Sequence, residues 1–176
     1  MLEVELKLRA RLDLVREKLL EKGARLLERG EEEDLYFRSP IRDFSETDEA
    51  LRLRLRGSKC ALTYKGPRLD ALSKTREEIE VEVGDWRSMK EILRRLGFTE
   101  IGRVRKRRET YQFKGFLICL DEVQGLGEFI EVEAKAEGDY KALMGEALTL
   151  LEDLGVKGPL IRESYLEMLL KEGLDR

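Results

Sequence analysis

The chain has 176 residues, of which 41% are hydrophobic and 40% are charged, and 34 Lys and Arg nearly balance 37 Asp and Glu to leave a formal charge of -3. This length suffices for one domain with a sizeable core, and the charge balance argues against a general basic surface for nucleic acid. Because the chain has no His and only two Cys, imidazole zinc sites, Ser–His triads and Cys–His nucleophile pairs are excluded.

Composition also bears on location and source. No apolar run approaches the roughly 18 residues that a membrane helix needs, and charged residues stand where the apolar core of a signal peptide would lie. We therefore expect a cytoplasmic protein that does not enter a membrane. Glu, Lys and Arg abound while His and Asn are absent, which is typical of a thermophilic source.

The first predicted strand covers residues 2–8. Successive side chains of a strand point to opposite faces, so the charged Glu3, Glu5 and Lys7 share one face and the apolar Leu2, Val4, Leu6 and Leu8 share the other. Taken alone, the pattern fits an ordinary half-buried strand with a solvated side. It also fits the charged wall of an internal cavity, and only the later strands can distinguish the two.

Residues 11–22 are predicted as a helix, because apolar residues recur there at helical spacing and Gly23 follows. Residues 24–37 are predicted as a second strand. Residues 38–49 are rich in turn-forming residues and are predicted as a loop.

Three further strands are predicted at residues 50–56, 59–66 and 75–83. In the first of them, Arg52 and Arg54 alternate strictly with leucines. A row of arginines fits a solvated edge strand or a phosphate cradle, because guanidinium groups pair with phosphate oxygens; both interpretations remain open here. The other two strands carry charged faces of their own, formed by Lys65 in one and by Arg76, Glu78 and Glu80 in the other.

The rest of the chain is predicted as a helix, three strands and two helices, at residues 86–96, 98–113, 115–121, 129–135, 139–153 and 161–172. Lys106 and Arg108 share a face of the first of these strands, and Asp121 ends the second. In the last strand, Glu131 and Glu133 alternate with apolar residues. The last strand thus repeats the charged face of the first.

About eight strands, mostly joined by hairpins, favour an antiparallel sheet that closes into a barrel, because closure removes exposed edges. The apolar helix faces need partners, and the apolar strand faces are the large candidates. The predicted fold is therefore α+β, a single domain over residues 1–176 in which helices pack outside an eight-stranded antiparallel β-barrel. Its charged interior is expected to bind a ligand, since burying so many charges is costly otherwise.

The charged interior divides by chemistry. Its carboxylates come chiefly from the first, fifth and eighth strands and suit Mg²⁺ or Mn²⁺, which take oxygen ligands. Its Arg and Lys come chiefly from the third, fourth and sixth strands and suit phosphate groups. Together they predict a polyphosphate held between a basic wall and a metal-bearing acidic wall.

Several motifs occur together in one order: Glu3-x-Glu5-x-Lys7, Arg52-Leu53-Arg54, Leu62-Thr63-Tyr64-Lys65-Gly66-Pro67, Lys74-Thr75-Arg76-Glu77-Glu78, Glu131-x-Glu133 and Ser164-Tyr165. This set resembles the CYTH superfamily of triphosphate tunnel metalloenzymes. It is most similar to the archaeal and bacterial proteins described as class IV adenylyl cyclases.

The resemblance implies roles for individual residues. Metal ions would be held by Glu3, Glu5, Asp121, Glu131 and Glu133, and the triphosphate by Lys7, Arg52, Arg54, Lys65, Arg76, Lys106 and Arg108. Glu78 and Glu80 would orient the basic side chains, and Lys65 and Tyr36 are candidates for proton transfer. Ordinary surface charge explains Arg76 and Arg162 equally well, and packing explains Tyr36.

The resemblance also implies an activity. The expected protein is an enzyme that uses Mg²⁺ or Mn²⁺ to convert ATP to cyclic AMP and pyrophosphate. Hydrolysis of inorganic triphosphate, thiamine triphosphate or a nucleoside triphosphate is the alternative reaction, and a non-catalytic polyphosphate-binding or nucleotide-binding module is the alternative without catalysis. The expected partner is a nucleoside triphosphate or another triphosphate, and the resemblance further implies a homodimer.

Overall fold

The computed structural model describes residues 1–173. In chain order its elements are β1 (Leu2–Arg9), α1 (Leu12–Glu21), β2 (Arg25–Arg38), α2 (Phe44–Thr47), β3 (Ala50–Arg56), β4 (Lys59–Lys65), β5 (Arg76–Glu82), α3 (Trp86–Arg95), β6 (Thr99–Phe113), β7 (Phe116–Val123), β8 (Gly127–Ala136), α4 (Tyr140–Asp153) and α5 (Tyr165–Glu172). Within this range no helix is both long enough and apolar enough to cross a membrane.

The eight strands form one closed barrel in the order β1-β5-β4-β3-β2-β6-β7-β8. Every neighbouring pair is antiparallel, which confirms the predicted α+β barrel. The ladder between β1 and β8 runs the whole length of β1, whereas only two residue pairs join β1 to β5. The first strand of the chain therefore closes the barrel mainly against the last strand.

The helices cover the apolar outer face of the barrel. α1 and α4 form one buried cluster with β1, β7 and β8, which includes Leu6, Leu19, Val132 and Leu150. α3 covers a second cluster over β2, β3 and β4 through Leu93. Because these helices bury the apolar strand faces, the charged faces are left to line the interior, as the sequence predicts.

The last helix is placed differently, because one of its side chains enters the barrel. Tyr165 packs edge-on against Phe129, with ring centroids 5.0 Å apart, and both belong to a cluster with Val104 of β6. α5 begins later than the predicted residue 161, since Ser164 and Glu167 form a capping box at its N-terminus. The helix therefore covers one end of the barrel interior.

The prediction of a loop over residues 38–49 is wrong in part, because the short helix α2 lies within it. The Asp43 side chain caps α2 by accepting a hydrogen bond of 2.9 Å from the N–H of Ser45. Asp48, in the left-handed conformation, ends the helix. Phe44 and Ser45 of α2 line the barrel interior together with Leu166 and Leu170 of α5.

Candidate functional site

A cavity of about 410 Å³ occupies the barrel interior. Most of the predicted interior side chains line it together: Glu3, Glu5, Tyr36, Arg52, Arg54, Lys65, Arg76, Glu78, Glu80, Lys106, Arg108, Glu131 and Glu133. Lys7 and Asp121 of the predicted site lie outside this lining. The alternation of the strands therefore brings residues from both halves of the chain to one place.

Three glutamates of the cavity, Glu5, Glu131 and Glu133, form what we call the acidic cluster. One carboxylate oxygen of each lies within 4.8 Å of those of the other two. Glu5 and Glu133 are direct partners in the ladder between β1 and β8, so the register of closure brings them together.

The electrostatics differ between two glutamates of the acidic cluster. Burial raises the pKa of Glu131, but Arg108, Lys74, Lys7 and Lys106 outweigh it and hold that pKa well below its usual value. Burial raises the pKa of Glu133 to about 8, and the neighbouring Glu3, Glu131 and Glu5 contribute to the rise although Arg108 opposes it. A cation bound beside Glu133 would favour its ionised form, because opposite charge lowers the pKa of a carboxyl group. Three carboxylate donors fit a hard divalent ion such as Mg²⁺ or Mn²⁺, so the residues present suit the predicted metal.

The other two predicted metal ligands lie in different surroundings. Glu3 accepts a hydrogen bond of 3.0 Å from the ammonium of Lys65. Asp121 is fully buried and accepts from both Nε and Nη2 of Arg108, the former at 2.6 Å, and from the hydroxyl of Tyr165 at 2.8 Å. In this structure Asp121 therefore holds Arg108, and it lies outside the acidic cluster.

Arg52, Arg54, Lys65, Lys106 and Arg108 also line the cavity, and we call them the basic wall. Arg108 reaches the acidic cluster, because it donates to Glu131 and lies 3.6 Å from Glu133. Arg54 donates two hydrogen bonds to Asp34, of 2.7 and 2.8 Å. Glu32 lies 3.5 Å from the ammonium of Lys106 and 3.3 Å from Nε of Arg54. Because both guanidinium and ammonium groups are already held in place, an anion entering the cavity meets a preformed row of donors.

The acids behind the basic wall, Glu32 and Asp34, were not singled out by the sequence reasoning. They come from β2, where Glu32, Asp34 and Tyr36 alternate into the barrel. Burial raises the pKa of Glu32, but Arg54, Arg108 and Lys106 outweigh it and lower that pKa to about 2. The signal was present as alternation, but it was obscured because the opposite face of β2 also carries glutamates, the exposed Glu31 and the half-buried Glu33.

Lys65 is held by two carboxylates, with Glu3 at 3.0 Å and Glu78 at 2.8 Å from its ammonium nitrogen. Burial and Arg52 lower the pKa of Lys65, but Glu3 and Glu78 outweigh them and the net pKa is raised above its usual value. Lys65 therefore remains an ammonium at neutral pH. This charge favours phosphate binding over the acceptance of a proton.

The two predicted orienting acids contact basic neighbours. Glu78 pairs with Lys65, and Glu80 lies 3.8 Å from Nη2 of Arg52 and accepts from the hydroxyl of Thr63 at 2.9 Å. Thr63 in turn accepts from Arg52 at 3.3 Å. Both acids therefore lie beside basic side chains, and their orienting role stays a prediction.

Lys7 lies behind the cavity surface, because Tyr165 covers it. Its ammonium is 4.1 Å from the centre of the Tyr165 ring and 3.8 Å from a carboxylate oxygen of Glu131. Burial, followed by repulsion from Lys74, lowers the pKa of Lys7 to about 7, although Glu131 and Glu5 oppose this. The alternation of β1 correctly directs Lys7 inward, but it carries no information about the tyrosine ring above it.

Lys74 lines the cavity from the segment between β4 and β5, although the sequence reasoning assigned it no role. Its ammonium donates to Glu5 at 2.6 Å. Arg162, by contrast, donates to the backbone oxygen of Asp70 at 2.6 Å, and it is absent from the cavity lining. No strand periodicity applies to this segment, so the sequence pattern could not indicate that Lys74 faces inward.

Apolar and aromatic side chains line part of the cavity. They are Tyr36, Phe44, Ile101, Leu166 and Leu170, which come from β2, α2, β6 and α5, and Tyr36 and Ile101 pack against the cluster that includes Leu166. We call these five residues the apolar end. It adjoins the basic wall within one continuous cavity, so a ligand with a charged part and an apolar part could occupy both.

Comparisons with known proteins agree with this geometry. The family profile described as the CYTH domain matches residues 1–165. A protein of Methanocaldococcus jannaschii, provisionally named an adenylate cyclase, is 40% identical over 172 residues, which cover 96% of this chain and 98% of that protein. Adenylate cyclase CyaB of Aeromonas hydrophila is 28% identical over 134 residues, which cover 75% of this chain and 66% of that protein.

Solved structures show the same architecture. A Pyrococcus horikoshii protein is 44% identical with a TM-score of 0.89, covering 97% of this chain and 99% of that chain. A second protein from the same organism is 28% identical with a TM-score of 0.82, covering 94% of this chain and 98% of that chain. The family match over most of the chain, together with these relatives, shows that the chain belongs to the CYTH domain family.

Proposed function

We propose that this protein is a divalent-metal-dependent adenylyl cyclase, which converts ATP to cyclic AMP and pyrophosphate. The observation that carries the proposal is that the acidic cluster and the basic wall line one cavity. Membership of the CYTH family and the adenylate cyclase names of two relatives support the choice of reaction.

The basic wall would bind the triphosphate. Arg54 is fixed by Asp34 and Arg108 by Asp121, so their donor groups lose little freedom when phosphate oxygens arrive. Guanidinium groups match phosphate oxygens in pairs. The triphosphate would therefore bind to donor groups that the fold already holds in position.

The acidic cluster would hold Mg²⁺ or Mn²⁺. When bound there, such an ion would neutralise phosphate charge and help to align the triphosphate. Lys74 and Lys7 lie next to the same carboxylates. The chain's own contribution at this point is therefore a set of oxygen donors already partly balanced by lysine.

In the proposed reaction the ribose 3′-oxygen attacks the α-phosphorus, its proton passes to water, and the bond between the α-phosphorus and the pyrophosphate oxygen breaks. Negative charge grows on the leaving pyrophosphate, which the ammonium of Lys65 and the guanidinium of Arg108 would stabilise. Lys65 is already protonated, so it does not suit removal of the hydroxyl proton. Tyr36 lines the cavity and remains the proposed residue for proton transfer, in which its hydroxyl would relay the proton to water by giving up its own.

The apolar end favours a nucleotide over inorganic triphosphate. Aromatic and aliphatic side chains such as Phe44 and Leu166 offer contacts that a purine ring can use and a bare polyphosphate cannot. Their continuity with the basic wall allows one ATP molecule to occupy both regions. This is the reason for placing ATP first among the candidate substrates.

Hydrolysis of a triphosphate is the second candidate function. Charged groups from several strands line the cavity, so charge alone does not select the α-phosphorus over the terminal one. A Hippeastrum protein of similar fold, 20% identical with a TM-score of 0.70, is described as having a dominant triphosphatase activity. That likeness concerns the fold, and it leaves hydrolysis as the alternative outcome.

Product analysis separates these candidates. The protein is incubated with Mg²⁺ or Mn²⁺ and with ATP, tripolyphosphate or thiamine triphosphate, with a chelator-treated sample as control. Cyclic AMP and pyrophosphate in equal amounts are expected from ATP. Orthophosphate would instead support the hydrolase, and metal-dependent binding without turnover would support a non-catalytic module.

A further inference from the structure

The ammonium of Lys74 lies next to the acidic cluster, where it would compete with a metal ion for the same carboxylates. Its ammonium nitrogen is 2.6 Å from Oε1 of Glu5 and 4.0 Å from Oε1 of Glu131. The residue is more than nine-tenths buried, and it also lines the cavity. Lys74 thus supplies positive charge to two of the three carboxylates in the cluster.

The backbone around Lys74 is firmly held. The N–H of Lys74 donates to the carbonyl oxygen of Glu5 at 3.0 Å. Asp70 accepts from both the N–H and the hydroxyl of Ser73, at 2.7 and 2.6 Å, and Arg162 donates to the Asp70 carbonyl. Any change in the ammonium position is therefore expected to come from the four-carbon side chain, whose torsions are free to rotate.

A divalent ion and the Lys74 ammonium compete for the same charge. Both are positive and both would contact Glu5, so repulsion disfavours their joint presence at short range. Lys74 and the basic wall line the same cavity, and the basic wall is where we propose that phosphates bind. An ammonium that leaves Glu5 could therefore pair with a phosphate bound in this cavity.

We infer that Lys74 is an internal counter-ion of the acidic cluster, which a divalent metal displaces and which then binds the triphosphate. The inference rests on the proposed metal site and adds a coupling between its two ligands. Metal binding frees a cation for the phosphates, and phosphate binding draws that cation from Glu5. By thermodynamic linkage each ligand then raises the affinity for the other.

The test measures metal binding in the absence of any nucleotide. Mn²⁺ is titrated into the wild-type protein and into Lys74→Met by calorimetry, and tripolyphosphate is titrated into each with and without Mn²⁺. Lys74→Met is expected to bind Mn²⁺ about tenfold more tightly, within the usual range of coupling factors. It is also expected to lose most of the mutual enhancement between Mn²⁺ and tripolyphosphate.

Thermal unfolding gives a second readout that does not depend on turnover. Without metal, Lys74→Met should unfold at a lower temperature than the wild type, because Glu5 loses its partner. Added Mn²⁺ should raise the unfolding temperature of the variant more than that of the wild type. We expect the same two results for Lys74→Gln, which is used instead if Lys74→Met does not fold.

Lys106→Met is the matched control, because Lys106 is equally buried in the same barrel but pairs with Glu32 and Asp34. A similar gain in Mn²⁺ affinity in this control would overturn the inference. Equal or weaker Mn²⁺ binding by folded Lys74→Met and Lys74→Gln would overturn it while leaving the proposed metal site intact. Failure of the wild type to bind Mn²⁺ would overturn both.

Discussion

The hydroxyl of Tyr165 donates a hydrogen bond of 2.8 Å to Oδ2 of Asp121. This bond joins the last helix to the buried carboxylate that orients Arg108. Residues near the end of the described chain thereby contribute to the position of a guanidinium group inside the barrel.

Two substitutions at Tyr165 should separate the hydroxyl from the ring. Tyr165→Phe removes one hydrogen bond to a buried carboxylate and should lower the free energy of unfolding by about 1–3 kcal/mol. Tyr165→Ala also removes the ring that covers Lys7 and should cost about 3–5 kcal/mol. Urea unfolding measures both, with Tyr140→Phe as control, and equal losses for the two Tyr165 variants would contradict this assignment.

Glu5→Gln should abolish metal-dependent activity with little change in the fold. The amide has nearly the shape of the carboxylate but lacks its charge, so metal binding should weaken more than the about 10–100-fold loss seen when an outer partner of a metal ligand is removed. Mn²⁺ titration and product formation from ATP measure the effect. Glu17→Gln, on the exposed face of α1, is the matched control, and retained activity in Glu5→Gln would refute the metal assignment.

Arg54 should have separable roles in stability and in binding. Arg54→Met leaves the carboxylate of Asp34 buried without its two hydrogen bonds, so we expect a loss of about 3–5 kcal/mol in the free energy of unfolding. Adding Asp34→Asn should restore a large part of this stability, because the uncompensated charge is gone. The double variant should still bind tripolyphosphate weakly, and recovery of that affinity would show that Arg54 does not contact phosphate.

Glu32 should make the stability of the protein depend on pH in the acid range. Its pKa is lowered from 4.5 to about 2 in the folded chain, so its contribution is fully present above pH 4.5 and is lost as the pH falls towards 2. The advantage of the wild type over Glu32→Gln should therefore shrink by up to about 3 kcal/mol across this range. Denaturant unfolding at pH 7, 5, 4 and 3 measures it, and a constant difference would refute the assignment.

Phe44→Ala should distinguish ATP from tripolyphosphate as the ligand. Loss of an aromatic contact is worth about 0.5–1.5 kcal/mol, so the KM for ATP should rise several-fold while the affinity for tripolyphosphate stays unchanged. Ser45→Ala, a neighbouring substitution that keeps the aromatic ring, serves as control. Equal effects on the two ligands would show that the apolar end does not contact the base.

The strand faces were predictable because one face of each strand had to meet the helices. Once Leu6 and Val132 are assigned to the outer cluster, the period of two directs Glu5, Glu131 and Glu133 inward. Which interior side chains contact one another was not predictable in the same way. Asp121 shows this, because its pairing with Arg108 depends on the register of β6 and β7, which alternation alone does not fix.

Contacts made by segments without periodicity were beyond the sequence reasoning. Lys74 belongs to a connecting segment, and its inward direction follows from hydrogen bonds such as that of its N–H to Glu5. Tyr165 belongs to a helix, and its entry into the barrel depends on where α5 docks. Both residues reach the cavity through tertiary contacts that local pattern does not encode.

The long ladder between β1 and β8 has a consequence for how the site comes into being. Glu5 is made early during synthesis and Glu133 late, and pairings between distant parts of a chain form slowly because a large loop must close first. The acidic cluster therefore cannot exist in a nascent chain that lacks β8. The appearance of Mn²⁺ binding during refolding would therefore show when β8 pairs with β1 and the barrel closes.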